Sequence, residues 1–172
     1  MDKHTLLFRS LSKADAKAIS KAFELQGDHK PSSLYLHYFD LQKSKKLEPI
    51  IAEVDGDFAG YLAIKWTPDY PPFQEKGIPE VVDFNVLHKY QRKGIGTALM
   101  DEAERRIKPV SPLAGIGFGV FKDYGKAQIL YVKRGYVPDG NGITQNSKSL
   151  TFGDQVTIDH SLVFYLTKDL RE

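Results

Sequence analysis

The stretch VVDFNVLHKYQRKGIGTALMDEAERRI, Val81 to Ile107, constrains this chain more than any other. It opens on an apolar strand and closes on a helix whose Ile95, Leu99, Ala103 and Ile107 recur every fourth residue as one apolar stripe. Asp101 with Arg105 and Glu102 with Arg106 form i,i+4 pairs in the favourable order on its outer face. Between strand and helix lies Gln91-Arg92-Lys93-Gly94-Ile95-Gly96-Thr97. Two glycines at a helix start let backbone N–H groups come close to a ligand. The helix N-terminus offers N–H donors and partial positive charge, and Arg92 and Lys93 add formal charge beside it. A phosphate or pyrophosphate is the natural guest.

The rest of the chain places this unit in a sheet. A strand over Thr5 to Arg9 is followed by a helix from Ser12, with Ala14, Ala18, Ala22 and Leu25 near one face and Gly27 as its stop. A second helix begins after Pro31 and runs to about Glu48. Pro49 to Val54 and Phe58 to Trp66 read as a hairpin across Asp55-Gly56-Asp57. Thr67 to Pro79 holds four of the nine prolines and reads as a long irregular loop. After the strand to Leu87 and the helix to Ile107, Leu113 to Phe121 is a strand with glycine at alternate positions. Asp123 to Arg134 is a helix closed by Gly135, Pro138 to Asp159 a polar connection with room for a short ribbon, and His160 to Lys168 the last strand. A hairpin meander with two strand–helix–strand crossovers predicts a single α/β (α+β) domain over residues 1–172. Its one mixed sheet has about seven strands, flanked by about four helices.

Composition narrows the function classes. At 172 residues, 41% hydrophobic and 12% aromatic, the chain can bury a core. Lys plus Arg exceeds Asp plus Glu by 24 to 22, a net charge of +2, too weak for the footprint of a nucleic-acid binder. Lys43, Lys45 and Lys46 read as a solvated helix end. No stretch approaches the roughly 18 apolar residues of a membrane span, and MDKHTLLFRSLSK lacks the apolar centre of a signal peptide, so a cytoplasmic protein is expected. Cysteine is absent, which removes disulfides, thiolate metal sites and a cysteine nucleophile. The five histidines, His4, His29, His37, His88 and His160, show no metal-ligand spacing, so no metal is expected.

The phosphate loop is not GxxxxGK[ST], and its third small position as a dinucleotide fingerprint is Leu99. QRKGIG instead resembles the pyrophosphate loop [QR]-x-x-G-x-[GA] of the GNAT superfamily of acyl-CoA N-acyltransferases. Downstream, YGKAQILYVKRGYVPDG is similar to the family's N-x-x-A-x-x-L-Y-x-x-x-G-[FY], with Ala127, Leu130, Tyr131, Gly135 and Tyr136 matching. Tyr124 stands where the family usually has an asparagine that contacts the pantetheine arm of the cofactor. The motifs run from about Phe58 to Tyr136, and the order of strands and helices extends the likeness over the whole chain. The resemblance implies the GNAT fold, with the fourth and fifth strands splaying apart around acyl-CoA. It further implies acetyl transfer from acetyl-CoA to the primary amine of a small molecule or peptide, by a monomer or homodimer.

Without cysteine, direct attack in a ternary complex is the default route. Backbone N–H groups at Asn85, Val86 and Leu87 are placed to polarise the thioester oxygen, with Val86 the position the resemblance favours. Gln91, Arg92, Lys93, Gly94, Ile95, Gly96 and Thr97 would hold the pyrophosphate, and Tyr124, Ala127 and Tyr131 share one face of the later helix. Tyr131 matches the position whose hydroxyl protonates the departing thiolate. The resemblance makes Asp83 and Glu80 the candidate bases, since family members carry acidic residues at these positions, with His29 behind them. Asp83 and Asn85 alternate with apolar Val82, Phe84 and Val86, so they occupy the opposite face of the strand unless a bulge intervenes. Tyr35, Tyr38, Trp66, Tyr70 and Phe73 are the aromatics available to frame an acceptor, Trp66 reading as core. Two other classes compete: an acyl-CoA-binding domain without catalysis, and a nucleotide- or phosphate-binding regulator using the same helix start.

Overall fold

A computed structural model of the protein describes residues 4–171. The first half contains β1 (Leu6–Ser10), α1 (Asp15–Glu24), α2 (Ser32–Lys43), β2 (Leu47–Val54), β3 (Asp57–Lys65) and α3 (Pro71–Lys76). Then follow β4 (Glu80–Val86), α4 (Ile95–Ile107), β5 (Leu113–Gly119), α5 (Gly125–Lys133), β6 (Val137–Gln145), β7 (Lys148–Ser149) and β8 (Leu162–Asp169). The strands form one mixed sheet in the order β1-β2-β3-β4-β5-β8-β6-β7. Among the described residues, eight strands and five helices thus stand where the sequence suggested about seven and about four. Among the described residues no helix is long and apolar enough to cross a membrane.

The chain gathers into two compact units. One holds the described chain up to Trp66 together with Val81–Arg106. Here β2 and β3 pair antiparallel through Asp55-Gly56, both at positive φ (53° and 88°), the geometry of the two-residue hairpin the DG pair predicts. Helices α1 and α2 cover this part of the sheet through Ile19, Phe23 and Tyr35, which pack with Ile51 and Tyr61. Arg9 donates to Asp15 at 2.7 Å and lies 2.7 Å from Glu53, tying β1 to α1 and β2. Helix α2 ends at Lys43, not near Glu48: Lys45 turns left-handed (φ 57°) and the Lys46 N–H closes onto the Leu41 carbonyl at 3.0 Å. Helix α4 buries Ile95, Leu99 and Ala103 as its stripe predicts. Of its two expected pairs, Glu102–Arg106 forms at 2.7 Å, and Arg105 also reaches Glu102, at 2.8 Å.

The other unit holds Thr67–Glu80 and the described chain from Ile107 onward. Its proline-rich stretch is not irregular: Pro71 and Pro72 open α3, where missing N–H groups cost nothing, and Gly77 at φ 63° closes it. The polar connection also contains more strand than a short ribbon. β6 pairs with β8, its register broken between Pro138 and Ile143 where Gly140 and Gly142 take positive φ. β5 pairs antiparallel with β8 from Leu113↔Asp169 to Gly119↔Val163. Its alternate glycines make room for rings: a Cβ on Gly115 would lie 2.3 Å from Phe73, on Gly117 2.8 Å from Tyr165, and on Gly119 2.3 Å from Tyr124.

Candidate active site

In the first unit the site begins at a left-handed residue in mid-strand. Asp83 stands at φ 46° in the middle of β4, a conformation costly for an aspartate and held by its surroundings. Phe84 and Val86 still face α4, where Gly96 has the Phe84 ring 3.1 Å from the position of a Cβ. Asp83 and Asn85 share the other face: the Asn85 amide donates to the Asp83 carboxylate at 2.7 Å. That carboxylate also accepts from Lys30 Nζ at 3.1 Å, from the Tyr38 hydroxyl at 3.0 Å and, through a short bond, from the Tyr61 hydroxyl. Burial pushes the Asp83 pKa up, but the Lys30 charge and the three donors outweigh it, and the group ends below the usual carboxylate range. Their own burial, and after it the same carboxylate, raise Tyr38 and Tyr61, so both stay protonated. Lys30 also lies over the Phe23 and Tyr61 rings at 5.6 and 5.8 Å.

The end of β4 is set by β3. A Cβ on Gly60 would meet the Asn85 carbonyl at 2.5 Å and the Val86 Cα at 2.9 Å, so only glycine lets the two backbones approach. The Leu87 N–H donates to the Ala59 carbonyl at 2.9 Å and is occupied. The Val86 carbonyl accepts from the Gln91 amide at 3.1 Å, which anchors the loop that follows. In that loop Arg92 and Gly94 take positive φ (59° and 81°), and residues 91–94 are exposed. Successive N–H groups in a turn of this kind can face one side and form a concave nest that receives anions. The Ala98 N–H closes the first turn of α4 onto the Gly94 carbonyl at 2.9 Å, with Ile95 buried beneath and Thr97 exposed. Arg92 and Lys93 flank the nest, Lys93 Nζ lying 5.6 Å from the centre of the Tyr90 ring. The loop residues and α4 therefore have the donors and charge a pyrophosphate requires.

In the second unit Tyr131 sits on α5, 5% exposed, its ring 6.4 Å from Phe118 and 6.1 Å from Tyr136. Burial first, and the neighbouring Tyr124 second, raise its pKa, so its hydroxyl holds its proton. Tyr124 caps the start of α5, with Ala127 a turn further along the same face. Gln128 donates to the Gly119 carbonyl at 3.0 Å, fixing α5 to the end of β5. Glu80 is 9% exposed at the start of β4, and its charge contributes to raising Tyr165 to about 12, after burial.

The aromatics divide by depth. Tyr35, Tyr70 and Phe73 are core residues, each 1% exposed, and Tyr70 stacks on Tyr165 at 3.7 Å while donating to Asp139 at 2.7 Å. Trp66, expected in the core, is only half-buried and donates its indole N–H to Glu48 at 3.1 Å. His29 and His88 are exposed. Sequence reasoning missed the partners of Asp83, Lys30 and Tyr38 above all, and missed His160, whose Nδ1 lies 2.9 Å from the Tyr124 hydroxyl. Nothing in their local spacing signals either arrangement.

The family model described as Acetyltransferase (GNAT) family matches residues 16–136. An N-alpha-acetyltransferase of Sulfurisphaera tokodaii is 34% identical over 110 residues, which cover 59% of this chain and 65% of that protein. The match thus spans just under two thirds of the relative's length. Among solved structures, a GNAT-family acetyltransferase from Desulfovibrio desulfuricans superposes with a TM-score of 0.72 at 17% identity, covering 96% of this chain and 99% of that one. An acetyltransferase structure from Salmonella typhimurium, solved with its cofactor acetyl-CoA, superposes with a TM-score of 0.66 at 16% identity, covering 97% and 95%. Likeness at these identities establishes the fold.

Proposed function

The chain belongs to the acetyltransferase (GNAT) family, and on that premise we propose that it transfers an acetyl group from acetyl-CoA to the primary amine of a peptide or small molecule. The observation that carries the reading is the loop opening α4, where left-handed Arg92 and Gly94 shape a nest beside two cations. Gln91, Arg92, Lys93, Gly94, Ile95, Gly96 and Thr97 would hold the pyrophosphate of acetyl-CoA, whose thioester supplies the activated acetyl group. Tyr124 and Ala127 would line the path of its arm. The name of the Sulfurisphaera relative favours an α-amine as acceptor. The reading treats residues 1–172 as one catalytic domain acting in the cytoplasm without a metal.

The reaction forms a C–N bond and breaks a C–S bond. The amine must lose one proton and the thiolate must gain one. Asn85 and Val86 are assigned the N–H donors that polarise the thioester oxygen; Leu87, occupied by Ala59, contributes the shape of the turn. Tyr131 donates the proton to the departing sulfur, and its burial keeps that proton in place until the thiolate forms. Glu80 is assigned the base that accepts the amine proton. Asp83 receives hydrogen bonds from four groups and is held ionised, which makes it a weak base. Its assigned role is to position Lys30 and the two tyrosines on the acceptor side.

The test is CoA thiol release from acetyl-CoA with a panel of unblocked peptides and simple amines. Tyr131→Phe is expected to lower kcat by about 10²-fold or more, the usual contribution of a positioned acid. Glu80→Gln should also lower kcat, and both variants should keep the thermal stabilisation that acetyl-CoA confers. Absence of any stabilisation of the wild type by millimolar acetyl-CoA would refute the donor. Full thiol release by Tyr131→Phe would refute the acid.

A further inference from the structure

A primary amine of the chain itself already stands on the acceptor side of the first unit. It belongs to Lys30, in the loop between α1 and α2, where the following Pro31 disfavours helical backbone. Its Nζ lies 3.1 Å from Asp83 Oδ1, and its side chain is only 21% exposed, against 63% for Lys21 and for Lys43. The rings of Phe23 and Tyr61, centred 5.6 and 5.8 Å away, give the ammonium a second hold. The Asn85 amide donates to the same Oδ1 at 2.7 Å, so Lys30 Nζ and the Asn85 side chain meet on one oxygen atom. Asn85 and the next residue of β4, Val86, carry the N–H groups assigned to the thioester oxygen. The Lys30 amine thus has the chemistry proposed for the acceptor and is held beside the strand segment assigned to the acetyl group.

We propose that Lys30 is an acceptor of the reaction in its own chain, acetylated once on Nζ by the acetyl-CoA bound beside it. The inference rests on the acetyl transfer proposed above and on its donor. The Lys30 ammonium first loses a proton to water, because only the neutral amine has a free electron pair. Nζ then attacks the thioester carbonyl carbon; a C–N bond forms and the C–S bond breaks. The second proton leaves nitrogen through the Asp83 carboxylate already bonded to it and passes to water. The departing sulfur gains a proton from the acid of the main reaction, which water then replaces. In sum, an ammonium and acetyl-CoA give acetyl-lysine, CoA thiol and one proton. Acetyl-lysine keeps one N–H for Asp83 and loses its positive charge. The modification is therefore self-limiting, one acetyl group per chain, and it removes the cation that faces Asp83.

The experiment incubates the whole chain with acetyl-CoA and no other acceptor, and follows each lysine by peptide mass spectrometry. Lys30 is expected to be acetylated about 10²-fold faster than Lys21 or Lys43, because it is held in place. Free solution chemistry gives the opposite order, since those two are the exposed ones. The rate per chain should stay constant when the protein is diluted, as it must when amine and thioester sit in one molecule. Tyr131→Phe should slow Lys30 by the same factor as it slows a peptide acceptor, and leave Lys21 and Lys43 unchanged. Lys30→Arg, which keeps a charge opposite Asp83, should lose the fast acetylation, with a thermal melt in acetyl-CoA showing that it folds and binds the donor. In a wild type that acetylates peptides, any of three results overturns the proposal and leaves the acetyl transfer standing. These are Lys30 reacting no faster than Lys21 and Lys43, a rate per chain that rises with protein concentration, and a Lys30 rate unmoved by Tyr131→Phe while the peptide rate falls. A wild type that is not stabilised by acetyl-CoA and releases no thiol with any acceptor overturns the transfer itself.

Discussion

Asp83 gathers four hydrogen-bond donors onto one side chain. A half-buried carboxylate facing a lysine, two hydroxyls and an amide is worth most when every partner is present, and removing the charge leaves Lys30 opposed only by neutral groups. Asp83→Asn also sets an amide N–H against donors. We expect it to cost about 3 kcal/mol at pH 7, read by urea unfolding. The pH dependence has a definite sign. The folded pKa is depressed, so the stabilisation is fully present above the unfolded value near 3.9 and disappears as pH falls through the lower folded value. The wild type should therefore lose stability below about pH 4 more steeply than Asp83→Asn, and the gap between the two curves should narrow there. The sequence marks Asp83 as a polar residue on an interior strand and places Asn85 beside it. Its other partners lie 22 to 53 positions away, so no local periodicity reveals that this carboxylate is an anchor and a weak base.

At the scale of elements, glycines on β5 show how a strand receives its neighbours. The alternation in LAGIGFG is visible in the sequence as missing side chains; which rings fill the gaps is decided by α3, β8 and the turn before α5. Phe73 is 1% exposed and packs edge-on against Tyr70 at 4.9 Å and Tyr165 at 5.3 Å, so it has nowhere to retreat from a methyl group on Gly115. Gly115→Ala should destabilise by about 1–3 kcal/mol through overpacking. Gly119→Ala should cost less stability, because Tyr124 is only half-buried and its ring can tilt. Thermal melts of the two variants, compared at equal concentration, give the order. The same dependence on neighbours explains which elements the sequence reveals. The Asp55-Gly56 turn is local chemistry and reads directly. Helix α3 hides behind prolines that look like breakers, although Pro71 and Pro72 sit where a helix tolerates them. Strand β6 hides because its glycine bulge breaks the period of two.

For the whole molecule, a net charge of +2 leaves no long-range field strong enough to draw in a polyanion. On the proposed reading the attraction for acetyl-CoA is then local, and its two sources should respond differently to salt. Arg92 and Lys93 are exposed, so their contribution is screened once the Debye length falls from about 10 Å at 0.1 M toward 3 Å at 1 M. The N–H groups of the loop would act at hydrogen-bond distance, where screening matters little. Saturation at a hundred times Kd should stabilise the wild type by about 2.7 kcal/mol. For a chain of this size that raises Tm by roughly 5–10 °C. In Arg92→Ala with Lys93→Ala the affinity should drop and become nearly independent of salt, since only the backbone donors remain. Gly94→Ala should weaken binding at every salt concentration while keeping the wild-type salt slope, because the left-handed turn at φ 81° is strained by a Cβ although the two cations are intact. A Gly94→Ala protein that binds acetyl-CoA as tightly as the wild type would show that the cations alone suffice. The loop geometry would then be a plain helix start.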